Sequence, residues 1–235
     1  MPKKTVLPFV SILTPTANRR LFIPQLLRCF RKQDYPLNRM ELVVADDGDD
    51  LVGDLLDGQP GVRYLTLPKG SRLGYKRNFL TEQAKGDILV HMDDDDYYPP
   101  DRVSHAVRKL HSSEALIAGA SLMYIYHVAS RKITRSGPYN PYHGTNGTFA
   151  YKRAYLEDNR FDDEAITRDE ALFTKNFTRP MVQLDTRSTI LCISHAGNTY
   201  AKKMRNMTDE KLKNWVKCRE SLRFYRYQLG RIEVN

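Results

Sequence analysis

Asp87-Ile88-Leu89-Val90-His91-Met92-Asp93-Asp94-Asp95-Asp96-Tyr97-Tyr98-Pro99-Pro100 is an apolar run that ends in four consecutive acids. The apolar part predicts a short buried strand over Asp87–Met92. Neighbouring carboxylates about 4 Å apart repel by roughly 4 kcal/mol at an effective dielectric of about 20, so such density is costly unless a cation or water relieves it. If the extended backbone persists, Asp93 and Asp95 share one face and Asp94 points to the other. Hard oxygen ligands of this kind suit magnesium or manganese, which keep coordination positions open for phosphates. A solvated acidic loop, or acids placed at the start of the helix that Val103 opens, is the simpler reading. Four acids exceed what a helix start requires, and Pro99-Pro100 separates them from it.

Working outward, Phe9–Leu13 predicts a strand, and Ile23, Leu26, Leu27 and Phe30 follow at helical spacing. Glu41–Ala45 and Val62–Leu67 read as further strands. Tyr75–Lys85 reads as a helix, stopped by Gly86 in a left-handed conformation, and Val103, Ala106, Val107 and Leu110 mark another helix. Strands alternating with helices predict an α/β fold with a mostly parallel central sheet and flanking helices. In the second half, strand-like runs at Ala115–Tyr126 and Met181–Ile193 surround the Gly/Pro/Asn-rich stretch Ser136–Gly147, a candidate lid. Thr208–Leu229 predicts a terminal helix docked by one face.

At 235 residues and 41% hydrophobic content the chain can bury one substantial core, which argues against disorder and for a single domain. No apolar run approaches the ~20 residues that span a bilayer, and Met1-Pro2-Lys3-Lys4 leads into a strand and not a signal peptide, so a soluble cytoplasmic protein is expected. Cys29, Cys192 and Cys218 lack the spacing of a zinc site or disulfide framework and read as inert thiols. The formal charge of +9 fits a nucleic-acid surface, an anionic membrane or small anionic ligands, and does not choose among them. Much of the excess lies after Tyr200, where peripheral membrane contact through a basic helix is one use and a helix packed by one face is the simplest.

Two other strand ends fall on the same expected sheet edge, where open α/β sheets bind ligands. Asp46-Asp47-Gly48-Asp49-Asp50 offers carboxylates to a base or ribose, or forms an Asp/Gly turn. Thr14-Pro15-Thr16-Ala17-Asn18-Arg19 can cradle a nucleoside with its polar groups, Asn18 among them, or cap the helix that starts near Leu21.

Taken in order, Val10–Arg19, Glu41–Gly48, Lys76-Arg77-Asn78 and Ala84–Asp95 resemble the inverting nucleotide-sugar glycosyltransferases of family 2, which have the GT-A fold. The resemblance covers the first 110 residues well and the rest loosely. It implies a Rossmann-like sheet with a smaller acceptor-side sheet. The chain would then divide into a nucleotide-sugar-binding half (1–110), an acceptor half (111–207) and a C-terminal helix (208–235). It also implies that Asp47, Pro15 and Thr16 meet the nucleobase, uracil being favoured and thymine or guanine possible. By the same resemblance Asp93 and Asp95 form an aspartate-any-aspartate motif for Mn2+ or Mg2+, with Asp95 the firmest ligand. Asp94 lies near the ribose or sugar, and Arg77 and Asn78 line the donor pocket. Gly144–Arg153 looks like the loop and small-residue strand under which such enzymes place the acceptor, a glycan or other hydroxyl compound. Thr167-Arg168-Asp169-Glu170 is similar to the acidic pair that supplies the general base. The family has Glu then Asp, and Arg168 at the first position leaves Asp169 and Glu170 open. The apolar Ala171, Leu172 and Phe173 favour Asp169.

His195 is a candidate metal or diphosphate neighbour or else a structural histidine, and Lys202 or Arg205 can neutralise a leaving phosphate. A metal-dependent nucleotidyltransferase is the competing enzyme, but Lys69-Gly70-Ser71-Arg72-Leu73-Gly74 is a poor phosphate loop. A nucleic-acid or anionic-surface module leaves two aligned acidic strand ends without a purpose.

Overall fold

A computed structural model describes residues 6–167, 169–198 and 202–229. Arg168, Met1-Pro2-Lys3-Lys4 and Arg231 lie outside the described residues. The elements run β1 (Val10–Thr16), α1 (Ile23–Arg31), β2 (Met40–Asp46), α2 (Gly53–Leu56), β3 (Val62–Thr66), α3 (Leu73–Gln83), β4 (Ile88–His91) and α4 (Arg102–His111). The second half adds β5 (Ile117–Gly119), β6 (Met123–His127), β7 (Lys132–Ser136), β8 (Ala150–Lys152), α5 (Glu170–Phe173), β9 (Met181–Gln183), β10 (Leu191–Ser194), α6 (Leu212–Trp215) and α7 (Arg219–Arg223). The large sheet has the order β3-β2-β1-β4-β8-β5-β9, and a second sheet has the order β10-β6-β7. Strands β1 to β4 pair in parallel, while β8 runs antiparallel between β4 and β5.

Alternation along the strands builds a core on each face of the large sheet. Val10, Ile12, Leu42, Val44 and Val90 meet Ile23, Leu26 and Phe30 of α1 and Val103, Ala106 and Leu110 of α4 on one face. Leu13, Val43, Ala45 and Leu89 meet Leu80 of α3, Phe149, Tyr151, Phe161 and Phe173 on the other. Because both faces are covered, β1, β2 and β4 read as nearly continuous apolar runs. The register places Thr16 of β1 beside Asp46 of β2 and Leu13 beside His91 of β4, so the residues leaving these strands emerge at one edge. Helix α3 buries four polar side chains, Lys76, Arg77, Asn78 and Thr81, where α1 buries Gln25.

Four expectations change. Helix α3 stops at Gln83, and Gly86 is not among the glycines with positive φ. Its lack of a side chain serves close packing instead, since a Cβ there would lie 2.4 Å from the Ser11 amide nitrogen. The run Ala115–Tyr126 divides into β5 and β6, and Met181–Ile193 into β9 and β10, each pair split between the two sheets. Strand β7, which pairs with β6, is an element that no apolar run announced. The terminal segment is not one helix: α6 ends at an extended break at Val216, and α7 begins after it and continues as a π-helical turn over Phe224–Gln228. A continuous helix would carry the buried stripe of Leu212, Trp215 and Val216 on to Arg219 and Glu220. The break resets the register so that Ser221, Phe224 and Tyr225 are buried instead. Lys211, Lys213, Lys217, Arg219, Arg223 and Arg226 stay exposed. No helix among the described residues is long and apolar enough to cross a membrane.

Candidate active site

At the end of β2 the carboxylates are well supplied with donors. Asp46 accepts from the amides of Gly48 and Val52 and from the Tyr64 hydroxyl, each at 3.0 Å. Asp47 is ion-paired with Lys76, whose ammonium also approaches the Thr16 carbonyl at 3.4 Å, and both residues are more than nine-tenths buried. Asn18, with φ of 56°, turns its amide oxygen to the backbone amides of Asp49 (2.8 Å) and Asp50 (2.9 Å). Its side chain therefore shapes the acidic loop, and the α1 N-terminus has no side-chain cap. Pro15 pairs in register with Ala45, beside the Thr16–Asp46 pair at the strand end.

At the end of β4 the chain leaves the strand at Met92 and bends through Asp94–Asp96, so the expected extended alternation does not persist. Asp94 accepts from Thr16 Oγ1 at 2.6 Å. Asp95 accepts from Asn198 Nδ2 at 3.1 Å, meets His195 Nε2 at 3.0 Å and has Arg19 at 3.9 Å. The Gly197 amide donates to His195 Nδ1, which leaves Nε2 as the protonated nitrogen that faces Asp95. Asp96 turns inward, accepts from the Ile193 amide at 2.6 Å and has Lys202 at 3.7 Å. Lys202 donates to the Ile193 carbonyl at 2.6 Å, so its ammonium is committed to this brace, whereas Arg205 is exposed.

Burial pushes Asp94 up to about 8, with the Asp95 charge adding to it. Burial likewise pushes Asp96 up to about 7 against the pull of Lys202. Burial would also raise Asp95, but the His195 hydrogen bond and the charges of Lys202 and Arg19 bring it down to about 2. Asp95 is thus the carboxylate held ionised, and Asp94 the neighbour that takes a proton. Asp93, raised by burial against the opposing charge of Arg77, also feels Asp95.

Arg77 joins this edge to the start of α5. Its Nη2 lies 3.3 Å from Asp93 Oδ1, and its Nε lies 3.0 Å from Asp169 Oδ2. The second contact is an ion pair set off the line of a hydrogen bond, and Asp169 Oδ2 has no hydrogen-bond donor among the described residues. Asp169 Oδ1 accepts from Asn146 Nδ2, while Asn146 Oδ1 is itself buried without a donor. Two buried acceptor oxygens within one contact therefore lack a hydrogen-bond donor, Asp169 Oδ2 having only its ion pair with Arg77, where a buried acceptor normally finds a donor. Glu170, half-buried, accepts from the Asn146 amide at 3.3 Å and is raised by burial and by the charge of Asp169.

Asn78 does not join the site: its amide bonds Phe161 in both directions at 3.0 Å and Asp163 at 2.7 Å, clamping the loop beyond α3. The side chains fall into three groups, Thr16–Asp94, Asp93–Arg77–Asp169 and Asp95–His195, brought together by the consecutive acids Asp93, Asp94 and Asp95, and Asp47 adjoins the first through Lys76 and the Thr16 carbonyl. Among the described residues no three His, Cys, Asp or Glu side chains already converge as a metal cage. Composition gave no role to Lys76, Arg19, Asn198 or Tyr98, whose hydroxyl accepts from the Asp93 amide at 2.7 Å. Nor did it reveal Arg102, fully buried, which donates to the Thr148 and Phe149 carbonyls and ties β4 to β8 beneath the acids. A sequence signal existed only for Lys76: a charged residue on the face of α3 that the apolar positions bury.

A mostly parallel sheet with acids at its carboxyl edge and a smaller second sheet beside it defines the GT-A class of glycosyltransferase folds. The profile of Glycosyl transferase family 2 matches residues 11–172, more than half of the chain, and the chain belongs to that family. It is 26% identical over 180 residues to a poly(ribitol-phosphate) beta-N-acetylglucosaminyltransferase, TarS, of Staphylococcus aureus, a match covering 70% of this chain and 31% of that protein. A GalNAc(5)-diNAcBac-PP-undecaprenol beta-1,3-glucosyltransferase of Campylobacter jejuni is 24% identical, over 71% of this chain and 59% of its own. The chain thus spans about a third of the length of the first relative and under two thirds of the second. The structure of S. aureus TarS 1–349 in complex with UDP-GlcNAc superposes with a TM-score of 0.66 at 22% identity, covering 81% of this chain and 60% of that one. A mannosyltransferase from Pyrobaculum calidifontis in complex with GDP-Man and Mn2+ gives 0.62 at 18% identity, covering 81% and 57%.

Proposed function

We propose that this chain is an inverting glycosyltransferase that moves a sugar from a nucleoside-diphosphate donor, UDP-linked by preference, to a hydroxyl of a glycan acceptor. The observation that carries the reading is the pair of buried, donorless oxygens on Asp169 and Asn146, joined through Arg77 to the acids at the end of β4. Such oxygens call for a donor, and an acceptor hydroxyl is one. In this reading Asp169 is the general base that takes the hydroxyl proton as the new bond forms to the anomeric carbon and the bond to the diphosphate breaks. Glu170 is the neighbour that could replace it by one residue. No covalent sugar intermediate is needed. Residues 1–235 are read as one catalytic unit, and the exposed cations near the C-terminus leave room for contact with an anionic membrane surface.

The carboxylates fit a divalent ion, because Asp93, Asp94 and Asp95 bring hard oxygen atoms to one edge and a cation there would favour their ionised forms against burial. Asp95 and Asp93 would hold Mn2+ or Mg2+, with His195 at Asp95, and the ion would neutralise the departing diphosphate. Thr16 and Asp47 border the base side of the same edge, which supports a nucleotide there. Melting curves with a panel of nucleoside diphosphates and their sugars test the proposal. UDP-linked compounds should raise Tm in the presence of manganese and do so much less with a chelator. No shift with any nucleotide at millimolar concentration would overturn it.

A further inference from the structure

We propose that Lys76 reads the edge of the donor's nucleobase, accepting bases that carry a carbonyl beside a ring N–H and rejecting those with an amino group beside a ring acceptor. The proposal rests on the nucleotide-sugar reading above. Of the polar residues that α3 buries, Asn78 is consumed by the Phe161–Asp163 loop, and Arg77 faces Asp93 and Asp169. Lys76 alone turns to the ends of β1 and β2, where it meets Asp47 and the Thr16 carbonyl.

A buried lysine–aspartate pair is poor value for stability alone, because removing both charges from water offsets most of their attraction. As a recognition pair it has a defined chemistry. Lys76 has three N–H donors, two of them directed at Asp47 Oδ1 and the Thr16 carbonyl, and among the described residues the third has no partner. Among the described residues Asp47 Oδ2 also makes no hydrogen bond. One donor next to one acceptor matches uracil, whose O4 accepts and whose N3–H donates. Cytosine presents the reverse, an amino group beside an acceptor nitrogen. Against it the ammonium meets N–H groups and the carboxylate meets a lone pair, so each protein group is left buried and unpaired.

Calorimetric titration of UDP and CDP, with manganese present, into the wild type and the Lys76→Arg and Lys76→Gln variants tests this. The wild type should prefer UDP, and Lys76→Arg, which keeps a cationic donor, should retain the preference. Lys76→Gln should narrow the UDP-to-CDP ratio by about ten- to a hundredfold, the range expected for one hydrogen bond to a charged group. The amide can present its carbonyl to cytosine, so part of that change should be a gain for CDP. Equal losses for UDP and CDP in Lys76→Gln would overturn the proposal and leave Lys76 as a brace for Asp47. Should that variant not fold, 4-thiouridine diphosphate on the wild type gives the same decision. The weaker acceptor should cost affinity, and unchanged binding contradicts a contact from Lys76. A wild type that binds no nucleoside diphosphate sinks both readings, whereas UDP binding with an unaltered ratio sinks only this one.

Discussion

Two strands leave the same edge of the sheet in acids, yet their carboxylates are supplied very differently. At the end of β2, Asp46 has three donors and Asp47 has a buried ammonium. At the end of β4, Asp94 has a single hydroxyl, and Asp93 has a guanidinium that it shares with Asp169. Only Asp96 in that run is braced from the backbone, by the Ile193 amide. The same residue type thus shapes a loop in one place and crowds buried carboxyl groups of unequal acidity in the other, with Asp95 held ionised by His195, Asn198 and Arg19 beside Asp94, which is pushed up. Carboxyl groups whose acidities are driven apart at a ligand edge mark a candidate site.

The largest expected effect is on chemistry beside the second end. Asp169→Asn keeps shape and removes basicity, so turnover should fall by about 10²- to 10⁴-fold with donor and metal affinity near wild type. Glu170→Gln is the control. If it abolishes transfer while Asp169→Asn does not, the base moves by one residue and the rest stands.

A second prediction separates the two ends by stability. Asp46→Ala deletes the acceptor of three buried or half-buried donors and should cost roughly 3 kcal/mol in urea unfolding, given about 1–3 kcal/mol for each donor left unmade and partial access of water. A cost under about 0.5 kcal/mol would mean that Asp46 is no brace.

The smallest effect has the opposite sign. Asp94 has a folded pKa of about 8, well above the ordinary carboxylate value of roughly 3.9, so the folded state holds its proton more tightly than the unfolded chain. Stability without metal should therefore be greatest in mild acid and fall as pH rises toward about 8. Asp94→Asn should flatten that fall and be more stable than wild type at pH 8 by on the order of 1 kcal/mol, while losing activity. An unchanged pH profile would show that Asp94 is relieved by some other group.

The sheet was legible because β1, β2 and β4 are buried on both faces, and continuous apolar runs bounded by helical periodicity leave few other readings. The acid clusters were legible as chemistry because charge density is a local property. Which acid does what was not, because the deciding partners are distant in sequence. Ile193 lies 97 residues from Asp96, and His195 lies 100 from Asp95. Asn78 looked like a pocket residue by its neighbours in sequence, and only the approach of the Phe161–Asp163 loop takes its amide away. The terminal helix was overextended because Leu212, Trp215, Leu222 and Tyr225 keep nearly helical intervals, although Arg219 and Glu220 cannot be buried where a continuous helix would put them.

The contrast between the two strand ends is tested most directly by calorimetric titration of UDP, with and without manganese, into the wild type, Asp95→Ala and Asp47→Ala. Asp95→Ala should lose the gain in affinity that manganese gives, because its carboxylate is the one held ionised at the crowded end. Asp47→Ala should keep that gain and lose its preference for uracil. A manganese-dependent gain in Asp95→Ala equal to that of the wild type, with folding intact, would contradict the assignment of the metal to the end of β4.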